Sequence, residues 1–441
     1  MIRVPAPSLD PAEALRRVSR GERPFLLDGA SPGGGGGDGA DGLGRWSYAG
    51  CDPDDGLVWS RGDAGDPLAL IGTAQRRWNA GPVEDFWPFA VGWLSYDAGA
   101  EVLARACGRR LNAVDDLGVP DVDFARYRAV WRRDARSGRS EVLALDGAAA
   151  SQLLDRLART PPPLTTPSLG RPRWSTADDE YRRRVGRVLD YLRAGDAYQV
   201  NLSHRLHATL GELDALPLYL RLRTVAPAPL GLYLASGGTT ILCNSPESFL
   251  RVRPGVVETR PIKGTRRRGA SSDEDAALAT ALQASAKDAA EHLMIVDLLR
   301  NDLGRVALTG SVAVDGFERL VTLPTVHHLV STVRARTRLG LPLEEILRAT
   351  LPGGSITGAP KLRAVEIIDE LEGVVRGPYA GVVGWLGPAG SAELALAIRT
   401  AVVRAGELTL GVGGGIVADS DPDGELAETR AKAEAFLRAI A

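Results

Sequence analysis

Short turns between β-forming segments restrict the fold of this 441-residue chain more than any other feature of its sequence. Residues 248–253 and 256–259 are rich in β-forming side chains and flank a Pro-Gly dipeptide, which predicts a β-hairpin. A second hairpin is predicted within residues 121–145. Because short turns join strands that run in opposite directions, we expect antiparallel sheet.

Hydrophobic periodicity and helix caps predict the other elements. Strands are predicted over residues 24–28, 46–50, 56–59, 89–96, 125–131, 141–145, 197–203, 326–333, 379–386, 392–401 and 407–412. Helices are predicted over residues 10–18, 176–194, 272–284, 285–301, 342–349, 361–371 and 425–441. The first third of the chain is therefore expected to be rich in strands.

A proline-rich stretch divides the chain. Residues 160–172 begin with Thr-Pro-Pro-Pro, and prolines deny a segment regular backbone hydrogen bonds. We predict a strand-rich N-terminal region at residues 1–160, a linker at 161–173 and a second domain at 174–441, which contains the motifs described below. The two parts can still share one continuous core.

Composition and charge exclude several classes of protein. A net charge of −2 predicts no nucleic-acid or anionic-membrane partner. No apolar run approaches the roughly 20 residues that span a bilayer, and the first residues lack the apolar core of a signal peptide, so we expect a cytoplasmic protein. Cys51, Cys107 and Cys243 are few and widely spaced, which favours reduced thiols. The glycine-rich run at 31–44 lacks a Gly-Lys-Ser/Thr ending and is predicted to be a surface loop.

Lys263 stands between a proline and a glycine just after the first predicted hairpin, and we expect it in a turn. Pro261 fixes the backbone on entry, and Gly264 lets the backbone approach a ligand closely. Glu247 lies 16 residues upstream. A desolvated amine can act as a nucleophile while a neighbouring carboxylate moves protons. The alternative is a solvated lysine in a loop.

Two predicted helices each carry a pair of carboxylates on one face. Asp288 and Glu291 are three residues apart, as are Glu425 and Glu428. Two such pairs facing each other would form an oxygen-rich site suited to Mg²⁺, which takes one or two carboxylates together with waters and substrate oxygens. The alternative is a solvated helix face with an ion pair between Glu428 and Lys432.

Four stretches of the sequence together resemble a known family. Residues 261–265 (PIKGT), 285–288 (SAKD), 352–361 (PGGSITGAPK) and 413–420 (GGGIVADS) are similar to the signatures of chorismate-utilising enzymes. The resemblance covers the chain from about Asp178 to its C-terminus and is loose before that. It implies an α/β fold of the α+β type, with two antiparallel sheets packed face to face and helices outside.

The resemblance also implies a magnesium site and a substrate site. Glu291 and Glu428 match the positions that hold magnesium in the family, with Asp288 and Glu425 in supporting positions. The positions that bind or line the substrate are matched by Thr265, His328, Tyr379, Arg399, Gly413, Gly414, Gly415 and Lys432, to which we add Gln199. In this interpretation Mg²⁺ and a guanidinium each take one carboxylate of chorismate, and glycine N–H groups approach an oxyanion.

The lysine in the first motif implies a particular reaction. Members that form anthranilate usually have alanine at the position of Lys263, and the lysine form resembles the branch that aminates chorismate at C4. The amine of Lys263 would attack ring C2 while Glu247 protonates the leaving C4 hydroxyl. Ammonia would then add at C4 and expel the lysine, giving 4-amino-4-deoxychorismate. Water-adding relatives carry a lysine base where this chain has Gln199, which favours amination.

The ammonia must have a source outside this chain. None of the three cysteines stands in the sequence surroundings of a glutaminase nucleophile, so the resemblance implies a separate glutamine amidotransferase subunit. Two alternatives remain: an anthranilate-forming large subunit that happens to carry lysine, and a catalytically silent subunit that retains the fold. Retention of Lys263, Glu247, Glu291 and Glu428 argues against the silent subunit.

Overall fold

The computed structural model describes residues 1–29, 44–78, 89–164, 170–210, 215–323 and 326–440. The interpretation of residues 31–44 as a surface loop falls almost wholly outside these ranges, as does the middle of the predicted linker. None of the helices described is long and apolar enough to cross a membrane.

Helices and strands alternate irregularly along the chain. The helices are α1 (Pro11–Val18), α2 (Pro67–Trp78), α3 (Tyr96–Ala106), α4 (Gly147–Ala158), α5 (Asp178–Arg193), α6 (Leu216–Val225), α7 (Ser272–Gln283), α8 (Ala286–Gly304), α9 (Leu343–Thr350), α10 (Lys361–Glu372) and α11 (Pro422–Ile440). The strands of the first half are β1 (Ile2–Pro5), β2 (Phe25–Asp28), β3 (Trp46–Gly50), β4 (Asp55–Trp59), β5 (Ala90–Leu94), β6 (Val122–Arg126), β7 (Ala129–Asp134), β8 (Ser140–Ala144), β9 (Arg173–Trp174) and β10 (Gln199–Thr209). Those of the second half are β11 (Leu230–Ser236), β12 (Thr239–Ser245), β13 (Ser248–Arg253), β14 (Val256–Arg260), β15 (Ile262–Arg267), β16 (Ala313–Thr322), β17 (Val326–Arg336), β18 (Gly358–Ala359), β19 (Val382–Leu386), β20 (Ala392–Leu396), β21 (Thr400–Arg404) and β22 (Glu407–Ile416).

These strands form two antiparallel sheets, as expected. Sheet 1 runs in the order β1-β8-β7-β3-β2-β11-β12-β21-β22-β10-β18, with β9 paired to β10. Sheet 2 runs in the order β15-β17-β14-β13-β20-β19-β5-β6-β4, with β16 paired to β17. Both sheets combine strands from residues 1–160 with strands from residues 174–441. The division at residues 161–173 therefore stays a prediction about the sequence, and the core is shared across it.

The alternation of side chains along the strands of sheet 1 supplies two separate cores. Ile241 and Cys243 of β12 belong to a buried cluster that also contains residues of sheet 2 such as Trp93. Leu242, between them, belongs to a second cluster with Phe436 of α11 and residues of α1, α4 and α6. Full burial of one such large apolar side chain contributes about 1.5–3 kcal/mol. Sheet 1 thus packs against sheet 2 on one face and against helices on the other.

Two predicted strands are wrong because the chain changes sheets within them. The segment 125–131 contains the last residues of β6, in sheet 2, and the first residues of β7, in sheet 1. The buried Tyr127 lies where the chain passes from one sheet to the other. The segment 392–401 likewise contains β20 of sheet 2 and the start of β21 of sheet 1. There the backbone turns at Arg399, which has a φ of 49°. At each crossing buried apolar residues continue on both sides of a polar residue, Arg128 in the first segment and Arg399 in the second, so each segment resembles a single strand.

Four helices, α2, α3, α4 and α6, were not predicted. Helix α3 begins inside the predicted strand 89–96, because Ser95 caps it by accepting a hydrogen bond from the Ala98 N–H at 3.0 Å. The hairpin of β13 and β14, helix α1 with its Asp10 cap, and helices α5 and α7–α11 are confirmed.

Candidate active site

Lys263 lies in strand β15 and not in a turn, which corrects the expectation from its Pro and Gly neighbours. Gly264 has a φ of 76°, and the pairing of β15 with β17 shifts by one residue between Lys263 and Thr265. This β-bulge lets the strand continue past the glycine. A Cβ on Gly264 would lie 3.2 Å from Cβ of Asp288. The bulge therefore brings the first turn of α8 against the lysine strand.

Glu247 is buried between β12 and β13, with 7% of its surface exposed. Its main-chain N–H donates to Oγ of Ser245 at 3.1 Å, and its carbonyl accepts from the N–H of Leu396 at 3.1 Å. Burial raises the pKa of its carboxyl to about 7, against the opposing effects of the Lys263 ammonium and a hydrogen bond from Ser355. A carboxyl with a pKa near neutral pH is suited to general acid–base catalysis.

Thr265 and His328 are brought together across β15 and β17, with 2.9 Å between Oγ1 and Nδ1. Burial and the charge of Arg399 lower the pKa of His328 to about 4, so the ring is neutral at pH 7. Its Nε2 is buried and has no hydrogen-bond partner among the described residues. His327 points to the opposite face, where it contacts Asp275 at 2.9 Å, as strand alternation predicts.

Arg399 occupies the crossing between β20 and β21. Its carbonyl accepts a hydrogen bond from the N–H of Asn244 at 3.0 Å. Its side chain is half-buried, and burial lowers the pKa of the guanidinium below its usual value. Within the part of the chain that the structure describes, no carboxylate forms an ion pair with it. A desolvated guanidinium without an acidic partner suits a carboxylate of a ligand.

The glycine run of β22 lies beside this crossing. Pairing of β22 with β21 ends where Leu410 meets Ala401, whereas pairing with β10 continues to Ile416. The crossing at Arg399 precedes Ala401 by two residues. Gly413, like Gly414 and Gly415 after it, therefore has a strand partner on the β10 side only, among the residues described.

Glycine is required along β22 because other predicted site residues lie against its backbone. A Cβ on Gly411 would lie 2.2 Å from the ring of Tyr379, and one on Gly414 would lie 2.9 Å from Oε2 of Glu425. One on Gly415 would lie 2.8 Å from the amide nitrogen of Gln199. The structure thus gathers the tyrosine, the glutamate and the glutamine around this strand.

Gln199 is fully buried at the start of β10. In the described part of the chain, neither its amide nitrogen nor its amide oxygen has a hydrogen-bond partner. An unpaired buried amide costs about 1–3 kcal/mol, a cost that a bound polar ligand would remove. Its contact with Gly415 directs that ligand to the glycine run.

Lys432 connects the C-terminal helix to the same strand. Its Nζ donates to the carbonyl of Gly413 at 2.9 Å and lies 2.6 Å from Oε1 of Glu428. Burial alone would raise the pKa of Glu428, but the ammonium groups of Lys432, Lys263 and Lys287 outweigh it and lower the pKa. Helix α11 is therefore within electrostatic range of both β15 and α8.

The pKa of Glu425, the other carboxylate of α11, is shifted in the opposite direction to that of Glu428. Burial raises the pKa of Glu425, its Oε1 accepts a hydrogen bond from Ser420 at 2.6 Å, and the charge of Glu428 raises the pKa further. Glu425 is buried and Glu428 is exposed, and two neighbouring carboxylates favour a cation between or beside them. Mg²⁺ is usually bound by one or two carboxylates together with water and substrate oxygens. Glu425 and Glu428 therefore fit this ion.

The carboxylates of α8 are arranged differently. Asp288 forms an ion pair with Arg266 at 2.8 Å, and Glu291 is half-buried one turn further along the helix. The described residues contain no group of three or more His, Cys, Asp or Glu side chains gathered as for a metal ion. The two acidic helices lie near one site, since Lys287 of α8 acts on both glutamates of α11.

A buried ion pair that the sequence did not single out supports β10. Arg376 and Glu372 are 2.6 Å apart, and the arginine donates to the carbonyls of Asn201 at 2.7 Å and Ile356 at 2.9 Å. Glu372 accepts from the N–H of Ser203 at 2.7 Å. Asn201 and Ser203 lie opposite Gly415 and Gly413, so the pair holds the strand behind the glycine run. In the sequence it is an ordinary i,i+4 ion pair.

A separate cavity of about 420 Å³ lies between the two sheets. Strands β2, β3 and β11 line it from sheet 1, and it contains none of the predicted site residues. The candidate active site is not placed in this cavity, because Lys263, Glu247 and the two acidic helices all lie elsewhere.

Comparisons with known proteins agree with the fold and with the sequence motifs. A family model described as chorismate binding enzyme matches residues 57–438. Anthranilate synthase component 1 of Pseudomonas aeruginosa is 39% identical over 413 residues, covering 88% of this chain and 82% of that protein. Aminodeoxychorismate synthase component 1 of Bacillus subtilis is 36% identical over 430 residues, covering 90% and 89%. The crystal structure of anthranilate synthase component I from Streptococcus pneumoniae TIGR4 matches with a TM-score of 0.78 and 30% identity, covering 89% and 92% of the two chains.

Proposed function

This protein belongs to the chorismate-binding enzyme family, and we propose that within it the chain is the large subunit of an aminodeoxychorismate synthase. It would convert chorismate and ammonia to 4-amino-4-deoxychorismate, a precursor of 4-aminobenzoate. The observation that carries the proposal is that Lys263 lies within electrostatic range of Glu247, a buried carboxyl whose pKa is raised to about 7 by burial and lowered in part by the lysine. Similarity to aminodeoxychorismate synthase component 1 of Bacillus subtilis supports it.

The proposed reaction has two displacements. In the first, the neutral amine of Lys263 bonds to ring C2, the ring double bonds shift, and the C4 hydroxyl leaves as water with a proton from Glu247. In the second, ammonia bonds to C4, the double bonds shift back, and the C2–N bond breaks to free the lysine. The Glu247 carboxylate accepts the proton that the incoming nitrogen loses, which restores the acid for the next cycle.

The remaining residues would bind and orient the substrate. Arg399 would pair with one carboxylate of chorismate, and the open edge of β22 at Gly413, Gly414 and Gly415 would donate backbone N–H groups to substrate oxygens. His328, held neutral and fixed by Thr265, presents Nε2 as a hydrogen-bonding group without adding charge. Tyr379 and Gln199 lie against the same strand, and Lys432 is fixed on it by the Gly413 carbonyl.

We also propose that the site binds Mg²⁺ through Glu291 and Glu428, with Asp288 and Glu425 in support. The ion would supply positive charge that holds the ring carboxylate and orients the ring. The protein's own contribution is to place the buried Glu425 beside the exposed Glu428 on α11, where the charge of Glu428 raises the pKa of Glu425, so that a cation is favoured there.

Glu428→Gln and Glu291→Gln should each lose most turnover while the protein remains folded, because the amide keeps the size of the side chain but removes its charge. Turnover with chorismate and ammonium salt at several Mg²⁺ concentrations, and Mg²⁺ binding by calorimetry, measure the effect. Glu434→Gln, on an exposed position of the same helix, is the matched control and should change neither quantity. Near-normal turnover of either site variant in EDTA would contradict the metal assignment.

Anthranilate synthesis is the second candidate, because relatives with that activity, such as the enzyme of Pseudomonas aeruginosa, are as similar as those that form aminodeoxychorismate. An assay with chorismate, Mg²⁺ and ammonium salt separates the candidates. Aminodeoxychorismate supports the proposal, fluorescent anthranilate supports the second candidate, and no product supports a silent subunit.

The purified chain should use ammonium salt and should not use glutamine. Burial raises the thiol pKa of Cys51 to about 12 and that of Cys243 to about 11, so neither is a thiolate at neutral pH. Cys107 is exposed at the end of α3. We therefore propose a separate glutamine amidotransferase subunit as the source of ammonia. Product formation is to be compared with each nitrogen donor, and Cys107→Ala should leave the ammonium-dependent rate unchanged. Glutamine-dependent product from the highly purified chain would overturn this prediction.

A further inference from the structure

Ser355 and Glu247 are 108 positions apart in the sequence but in contact in the structure. The serine hydroxyl donates to Oε1 of Glu247 at 3.0 Å, and both residues are buried, with 8% and 7% of their surfaces exposed. Among the described residues, no other side chain hydrogen-bonds to this carboxyl. One carboxyl oxygen is therefore anchored by the protein, and the second is left for the substrate.

The serine is itself held in a fixed turn. It lies in the short 3₁₀ turn Gly354–Ile356, where Oγ1 of Thr357 donates to the carbonyl of Gly353 at 2.8 Å. Arg376 donates to the carbonyl at the end of the turn at 2.9 Å. A Cβ on Gly354 would collide with a leucine of α8. The turn is thus hydrogen-bonded at both ends and tightly packed at its first residue, which fixes the direction of the serine hydroxyl.

The main chain of Glu247 is equally constrained. Its N–H donates to the hydroxyl of Ser245 and its carbonyl accepts from the N–H of Leu396, so the backbone is fixed and only the side-chain torsions of Glu247 can vary. In a buried site, one hydrogen bond to one oxygen selects among those rotamers. The hydroxyl also stabilises the carboxylate that remains when the acid has given up its proton.

We propose that Ser355 is a positioning residue, whose hydroxyl fixes the orientation of Glu247 and stabilises its carboxylate form as the proton passes to the leaving oxygen. This inference rests on the proposed function, because it assigns a partner to the general acid of that reaction. The charged group that acts on Glu247 from the surrounding elements is the ammonium of Lys263 on β15.

Ser355→Ala removes the hydroxyl and leaves Oε1 of Glu247 without its partner. We expect formation of the Lys263 adduct to be about 10- to 100-fold slower at its optimum, as for loss of a hydrogen bond to a charged group. The rate falls with pH as the acid loses its proton, and without the hydroxyl the carboxylate is less stable. This fall should therefore move to higher pH, while the chorismate concentration that gives half-maximal rate stays nearly constant.

The measurement is single-turnover adduct formation by mass spectrometry, with chorismate and without ammonia, from pH 5.5 to 9. Omitting ammonia removes its own titration from the profile. Ser355→Thr keeps the hydroxyl and should recover most of the rate and the wild-type profile, and Ser355→Cys, a weak donor of similar size, should be intermediate. Ser391→Ala is the matched control, because that buried serine donates only to the carbonyl of Pro388.

A folded Ser355→Ala with wild-type rate and profile would overturn the proposal. The proposal would also be overturned if Ser355→Ala is slow but its pH profile is not shifted, and if a folded Ser355→Thr or Ser355→Cys does not recover the rate. That result would indicate a structural effect alone. Infrared difference spectra give a second measurement that needs no reaction. The carboxyl band of Glu247, assigned by its loss in Glu247→Gln, should titrate at higher pH in Ser355→Ala. If the wild-type forms no adduct, the proposed function fails, and the infrared titration still decides whether Ser355 acts on Glu247.

Discussion

Lys263→Ala should abolish the covalent adduct and lower aminodeoxychorismate formation by at least about 10³-fold, the scale expected for loss of a nucleophile. Wild-type protein given chorismate without ammonia should carry the adduct on the peptide that contains Lys263. The structure supports this role because the side chain is half-buried on β15 and interacts with a buried carboxyl. Mass spectrometry of that peptide and product analysis by chromatography measure the two effects.

Lys263→Arg is the matched control for this variant. It keeps the positive charge that acts on Glu247 and Glu428 but cannot form the adduct. Both variants should therefore lose the reaction if the amine is a nucleophile, whereas arginine should recover it if only the charge is needed. Lys263→Ala also leaves C2 open to ammonia, so anthranilate is an expected minor product. Absence of an adduct, with wild-type product formation by Lys263→Ala, would contradict the assignment.

Glu247→Gln should lower turnover by about 10²- to 10⁴-fold, the usual contribution of a general acid. The amide keeps the shape of the side chain and can accept the hydrogen bond from Ser355, but it has no proton to give. The loss should therefore fall on the maximal rate more than on chorismate binding. Glu247→Asp, which keeps an acid but shortens it, should retain part of the rate. Wild-type turnover by Glu247→Gln would remove the general acid from the proposed mechanism.

The same substitution should stabilise the protein at high pH. Folding raises the pKa of Glu247 from 4.5 to about 7, so the folded state holds the proton more tightly than the unfolded state. Its contribution to the free energy of unfolding is intact below about pH 4.5 and is lost as the pH rises through 7. At pH 8 the loss is about 3 kcal/mol, at about 1.4 kcal/mol for each unit of pKa.

Denaturant unfolding at pH 5 and pH 8 tests this effect. Glu247→Gln should have nearly the stability of the wild-type at pH 5 and a higher free energy of unfolding at pH 8. A difference in stability that is the same at both pH values would show that the wild-type carboxyl is not held protonated. A stabilised but inactive variant is the expected pattern for a residue that serves chemistry at the expense of folding.

The sequence by itself determined the elements whose pattern is local. The hairpin of β13 and β14 follows from a turn and its flanking β-forming residues, and helix α5 follows from Tyr181, Val185 and Val188 on one face, all of which are fully buried. The motifs also determined the family, because they specify residue types at fixed short spacings. These signals need no knowledge of what lies across the core.

Only the tertiary structure decided where the chain changes sheets. The segment 392–401 is mostly apolar and resembles a single strand, yet it is interrupted at Arg399, and the interruption puts the backbone of Arg399 next to the end of the pairing between β21 and β22. Lys263 likewise lies in a strand because β17 pairs with both sides of the bulge at Gly264. The hydrophobic pattern of a strand indicates which residues are buried, but it does not indicate which sheet the strand joins. The sequence therefore does not predict where the chain passes from one sheet to the other.

The tertiary structure also decided which residues distant in the sequence form hydrogen bonds and ion pairs with each other. Arg266, Arg267 and Arg268 follow Lys263 closely in the sequence, but in the structure they form ion pairs with carboxylates of α7 and α8. The contact of Ser355 with Glu247 joins residues of different motifs, and no spacing predicts it. Residue type limits what a side chain can do, whereas the fold decides which groups meet, because hydrogen bonds and ion pairs depend on distances of a few ångströms across the core.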